Sequence, residues 1–196
     1  MSRCRKILGS MAVAVCALCV CAGAAVAAML AVDTETLTAQ AQVVVVGDVA
    51  ETTAYWNEEK TMIFTNVDVA VSEVLKGDIA PGTLTVKVPG GKVGDYFKIV
   101  SIAPFFKKGE TVLLFLNDDA AAGGLQKLTA NIQGKFSIIT DELTGEKQVV
   151  RSAGVLVQKN GAIVDERKMQ VPLTAFTAQI RAYVAAKKTR EQKDAQ

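Results

Sequence analysis

Hydrophobic positions in this chain recur mostly with a period of two. Residues 42–56 open with four consecutive valines, Val43 to Val46, a run that suits a strand buried on both faces. Gly47 interrupts it and marks a bulge or bend. After the polar turn Asn57-Glu58-Glu59-Lys60, the positions Ile63, Thr65, Val67, Val69 and Val71 alternate with Phe64, Asn66, Asp68 and Ala70. Residues 42–75 thus read as a long antiparallel hairpin. Turn chemistry in Gly77, Asp78, Pro81 and Gly82 leads to a third strand on Leu84, Val86 and Val88, closed by Pro89-Gly90-Gly91. The segment from Tyr96 to Ser101 reads as extended, Pro104 and Lys107-Lys108-Gly109 as a turn, and 111–117 as an apolar central strand. Asp118 to Gly124 reads as a loop. Weaker strands follow at Leu125–Ala130, Phe136–Thr140 and Gln148–Arg151. Asn160-Gly161, between two apolar stretches, signals a tight hairpin.

Two segments have helical spacing. Residues 34–41 read as a short helix, with Asp33 or Thr34 as its cap, Glu35 in its first turn, and Leu37 and Ala41 on one face. At the other end, Phe176, Ile180, Tyr183 and Val184 form a stripe that packs on the sheet. Pro172 suits the first turn of that helix, or Thr174 its cap.

These elements predict a mainly β fold, a single domain over 34–186 followed by a basic polar tail at 187–196. Blocks of this chain are also similar to small exported bacterial β-domain proteins. They are Val45-Val46-Gly47-Asp48-Val49, Val74-Leu75-Lys76-Gly77, Pro89-Gly90-Gly91, and Phe106 through Gly109-Glu110 to Leu113-Leu114-Phe115-Leu116. Over residues 42–140 the order of elements resembles the OB-like Greek-key barrel of the netrin and metalloproteinase-inhibitor group. The resemblance implies such a barrel, here with a short N-terminal helix and a C-terminal helix. Inhibitors of that group chelate zinc through an N-terminal cysteine, and no plausible mature N-terminus of this chain offers one.

The first residues change the picture. Arg3, Arg5 and Lys6 precede a run without charge from Ile7 to Val32, rich in Ala, Val and Cys. A basic start, an apolar stretch and a small-residue end make 1–27 a secretory signal peptide, with Ala25-Val26-Ala27 as the cleavage site before Ala28. An uncleaved membrane anchor is the alternative, because the run exceeds roughly 18 apolar residues. Either way the chain is exported, to the periplasm, the cell surface or the medium. All four cysteines, Cys4, Cys16, Cys19 and Cys21, lie in this segment, so the domain must stand without disulfides. Losing Arg3, Arg5 and Lys6 lowers the 22 basic residues to 19 against 20 acidic ones. No global basic field remains to hold nucleic acid.

Candidate chemistry is sparse. The chain has no histidine, which excludes Ser-His-Asp and Cys-His catalysis and most transition-metal sites. Ser72 and Lys76 are four apart on a strand, about 13 Å. Gly90-Gly91-Lys92 lacks the leading glycine and the following Ser or Thr of a phosphate loop. Asn117-Asp118-Asp119 is too short for a calcium loop. What stands out is aromatic: Tyr55, Trp56 and Tyr96, placed where exposed rings at a barrel rim can stack on a sugar or peptide. The sequence therefore points to an exported, non-enzymatic binding or structural domain with Tyr55, Trp56 and Tyr96 as ligand contacts. No cofactor and no metal is implied. The partner is a protein or glycan, with membrane contact only through the N-terminal segment if that is retained. The alternatives are an inhibitor of an extracellular hydrolase and, further off, a hydrolase built on two carboxylates.

Overall fold

The computed structural model describes residues 32–80, 82–119, 125–151, 156–159, 162–165 and 170–194. The 1–27 segment and the Asn160-Gly161 turn lie outside these residues.

Among the described residues the first helix, α1 (Thr34–Gln40), is capped by Asp33, whose carboxylate accepts the Thr36 N–H at 2.7 Å. Two long strands follow, β1 (Val43–Trp56) and β2 (Ile63–Lys76), then β3 (Thr83–Pro89). The short ribbon β4 (Gly91–Val93) and β5 (Tyr96–Lys98) precedes β6 (Thr111–Asp119) and β7 (Leu125–Leu128). A 3-10 turn at Asn131–Gly134 leads to β8 (Lys135–Thr140) and β9 (Lys147–Arg151). A hairpin of β10 (Leu156–Lys159) and β11 (Ala162–Asp165), the strand β12 (Gln170–Pro172) and the helix α2 (Leu173–Asp194) complete the chain.

The protein is mainly β, and five strands close into a mixed barrel of OB-like form. Around it the order is β1-β2-β3-β7-β6 and back to β1, with β3 and β7 parallel and the other pairs antiparallel. β6 is the branching strand. One edge pairs with β1. The other pairs with β7 at Leu116–Asp119 and with β8 at Val112–Leu114. From that split, β8, β9 and β12 continue as a wing beside the barrel.

This branch explains the continuous apolar runs. Val43, Val45, Val112, Leu114 and Leu116 fill the barrel interior with Val49, Val67, Val69, Val86 and Val88. The intervening residues Val44, Val46, Leu113 and Phe115 face outward into a second core. Phe136 and Ile138 of β8, Val149 of β9, Leu37 of α1, and Phe176 and Ile180 of α2 cover them there. A strand with a core on each side cannot alternate apolar with polar. Each such residue contributes about 1.5–3 kcal/mol by leaving water.

β1 bends through register shifts against β2, one of them between Val46 and Gly47. A Cβ on Gly47 would stand 2.5 Å from the Ala70 carbonyl oxygen, so the bend admits only glycine. Lys76 ties β2 to α1 by donating to the Thr38 and Ala41 carbonyls at 2.6 and 2.5 Å, a cation at a helix C-terminus. Burial, with the Lys187 charge nearby, pushes its ammonium pKa down against the opposing pull of Glu191.

Three expectations change. Asp118 and Asp119 lie in β6, paired with Gln126 and Leu125, not in a loop. Pro172 ends β12, and the helix starts at Leu173, one residue later than its first-turn reading. The basic residues after 186 remain helical to Asp194, exposed through Lys193.

Candidate functional site

Past Asp48, β1 leaves β6 and runs on paired only with β2. The far halves of β1, β2 and β3 therefore stand out as an arm at the mouth of the barrel. Its concave face carries Thr52 and Ala54 of β1, Thr65 and Val67 of β2, and Val88 of β3. Pro89 ends β3, and the next two residues turn the chain back across this face. Gly90 and Gly91 have φ of 98° and 135°, a region in which a side chain is strained. The Gly90 N–H donates to the Ile63 carbonyl at 2.8 Å, and its own carbonyl accepts the Thr65 hydroxyl at 2.7 Å. The ribbon and the residues up to Phe106 then form a strap over the mouth.

Between arm and strap lies a cleft of about 280 Å³. Val67 and Val88 form its floor. Lys92, Phe97, Lys98, Val100 and Phe105 form the strap side. None of its lining side chains is a carboxylate, so the cleft itself holds no acid-base pair. Among the described residues, no three of His, Cys, Asp and Glu gather to hold a metal ion.

The strap is fixed from beneath. Ala103 N–H donates to the Val100 carbonyl at 2.9 Å, and Ile132 N–H to the Ile102 carbonyl at 3.0 Å. The central anchor is Lys135 of β8, whose side chain is only 3% exposed. Its ammonium donates to the Phe105 carbonyl at 2.6 Å and to both Glu110 carboxylate oxygens at 2.8 Å. It also lies 4.5 Å from the Phe106 ring centroid. The Ser137 hydroxyl donates to Glu110 at 2.5 Å. Burial opposes the Glu110 charge, but the bonds from Lys135 and Ser137 and the Lys135 charge outweigh it and hold its carboxyl below the ordinary value of 4.5. Burial pushes the Lys135 ammonium down, against the pull of Glu110. With three acceptor oxygens on its ammonium, Lys135 ties the strap to β8 and to Glu110.

Of the three aromatic residues singled out from sequence, the structure brings two together. Trp56, at the end of β1, meets Tyr96 of β5 edge to face, with centroids 5.5 Å apart. Tyr55 points to the opposite face of the strand and lies against Phe64, centroids at 6.3 Å. Tyr55 is thus apart from the Trp56–Tyr96 pair. Sequence reasoning missed the larger part of the surface: Phe97 and Phe105, which stack at 6.4 Å, with Ile99 and Ile102. The available signal was the density of large apolar residues in 96–106 without a period of two or 3.6.

No protein-family model matches the chain, and no curated protein matches it, so the chemistry of the site rests on its own geometry.

Proposed function

We propose that this is an exported binding domain of the cell envelope, which holds a protein or glycan partner at the mouth of its barrel. The observation that supports this most is the cleft itself. It is apolar at the floor, aromatic on one wall, flanked by Lys92 and Lys98, and free of carboxylates. Rings present flat apolar faces to a sugar or an extended chain. The lysines favour a partner with negative charge. The Trp56–Tyr96 pair stands at the strap's entry, where binding would alter its environment.

Export rests on the Arg3-to-Ala27 pattern. The finer likeness, to the netrin and metalloproteinase-inhibitor group, supports a barrel with a binding mouth but not the inhibitors' zinc chelation, for which the N-terminal cysteine is missing.

Trp56 is the sole tryptophan and packs on Tyr96, the neighbour of Phe97 in the cleft wall, so its emission reports on the strap beside the site. Titration with acidic peptides and acidic oligosaccharides should give a saturable change in emission. Tyr96→Ala and Phe97→Ala should weaken that response at least tenfold, while Leu143→Ala, remote in sequence and exposed on a turn, should leave it unchanged. Catalytic turnover of any of these ligands, abolished by one carboxylate substitution, would replace the binding reading with a hydrolase.

A further inference from the structure

Eight large hydrophobic residues are exposed among the described residues, and they are not scattered. Five lie in the strap: Tyr96 at 67%, Phe97 at 58%, Ile99 at 63%, Ile102 at 45% and Phe105 at 60%. A sixth, Ile139 of β8, lines the same groove as Ile99 and Phe105. Single exposed apolar side chains are ordinary, but a contiguous set marks a contact surface. The strap's backbone is held from outside by Lys135 and Ile132, as described above. The exposure therefore belongs to an anchored surface.

Charge on the strap contrasts with the rest. Between Lys92 and Lys108 there are four lysines, Lys92, Lys98, Lys107 and Lys108, against one acid, Asp95. Lys108 is paired with Glu51 of β1 at 2.6 Å, so Lys92, Lys98 and Lys107 carry the local excess. The chain without its first 27 residues has one more acid than base. Positive charge is thus concentrated beside the apolar patch.

We propose that the strap is a membrane-docking surface. In this arrangement Phe97, Ile99, Ile102 and Phe105 enter the outer part of a bilayer, Tyr96 and Trp56 lie at headgroup level, and the flanking lysines meet anionic lipid. Rings with a polar edge favour that interface. Lysines near an anionic surface add attraction that falls off within a Debye length. A bilayer suits this patch better than a protein groove. Side chains that are mostly exposed project outward, and an acyl boundary accepts projections without requiring a matching shape. This contact shares Phe97 and Phe105 with the cleft wall and adds Ile99 and Ile102, so it goes beyond the ligand proposed for the cleft.

The test uses the full chain and vesicles of phosphatidylcholine with or without phosphatidylglycerol, each carrying brominated acyl chains that quench tryptophan on contact. The uncharged run from Ile7 can bring the chain to any vesicle, but it holds no tryptophan, and Trp56 reads the barrel mouth alone. The expected result is strong quenching with phosphatidylglycerol, several-fold weaker without it. Ile99→Asp with Phe105→Asp should return emission to its vesicle-free level with the circular dichroism of the native fold retained. Lys98→Glu with Lys107→Glu should reduce the dependence of Trp56 quenching on the anionic lipid, leaving only what Arg3, Arg5 and Lys6 contribute to capture of the chain. Vesicle-bound chain with unquenched Trp56 overturns the proposal, as does quenching indifferent to the anionic lipid or to the strap substitutions. Saturable binding of a soluble acidic peptide without lipid quenching also overturns it, and leaves the cleft reading standing.

Discussion

Gly47 shows how one residue can determine the course of a strand. Its φ is not the reason; the space is. An added methyl would meet the Ala70 carbonyl oxygen at 2.5 Å and a Val69 methyl at 2.8 Å. Both neighbours belong to the paired strand, so neither can swing aside. Gly47→Ala is expected to destabilise the fold by about 1–3 kcal/mol, the usual cost of overpacking. A urea titration would show a lower midpoint with an unchanged slope. Asp33 acts at the same scale. Its carboxylate caps a seven-residue helix whose Leu37 is fully buried. The hydrogen bond from the Thr36 N–H holds its pKa below the ordinary carboxylate value against the opposing effect of burial. Asp33→Ala should cost about 1 kcal/mol, measured in the same way. The position of Gly47 as a bend was legible from sequence, because glycine within a valine run has little else to do. The close approach that demands it was not legible: the hairpin reading sets Ala70 across from this stretch, but not the register shifts that bring its carbonyl oxygen against Gly47.

At the scale of elements, the two runs Val43–Val46 and Val112–Leu116 behave alike. Each places alternate residues in the barrel interior and the rest in the second core. Sequence reasoning read Val43–Val46 as buried on two faces and 111–117 as an apolar central strand, and located the α2 stripe whose Phe176 and Ile180 cover the outward residues of both. It could not read the branch at β6, where one strand edge serves β7 and β8 in succession. That feature is set by pairing between distant segments and leaves no periodic trace. The strap was illegible for a related reason. Its residues 96–106 make one short pairing, β5 with β4, and hydrogen bonds to the remote partners Ile132 and Lys135, and no local period records them. Phe136 is the residue that makes the wing one body with the barrel. It contacts Phe115 of β6 edge to face at 5.7 Å and Phe176 of α2 at 5.1 Å. Phe136→Ala should therefore cost about 3–5 kcal/mol. The loss should appear as a single cooperative transition at lower temperature in calorimetry. Two separate transitions would show instead that wing and barrel fold independently.

For the whole molecule, one buried ion pair connects β6, β8 and the strap that walls the cleft. Glu110 precedes β6, Lys135 opens β8, and the Phe105 carbonyl belongs to the strap. Because the Glu110 pKa is depressed in the folded protein, the unfolded chain binds more protons as pH falls below the ordinary carboxylate value of 4.5. The stability contributed by Glu110 is fully present above that value and is lost as pH drops through the lower, folded one. Protonation leaves the Lys135 ammonium buried beside a neutral acid, which removes its counter-charge and favours release of the strap. Lys135→Met should loosen the same attachment at neutral pH. It strips Glu110 of its partner, at a cost of about 3 kcal/mol, the lower end for a broken buried pair, since Glu110 retains some contact with water. Asp33 titrates in the same direction, so acid denaturation of the native chain alone does not isolate the pair. Glu110→Gln does. It should begin less stable at pH 7, because Lys135 already lacks its counter-charge, and lose less on acidification. The emission of Trp56, against Tyr96 at the strap's entry, should shift in the native chain below the ordinary carboxylate range and remain flat in Glu110→Gln until global unfolding. Parallel acid curves for the two proteins would show that the strap is held by packing alone and that the ion pair does not govern access to the cleft.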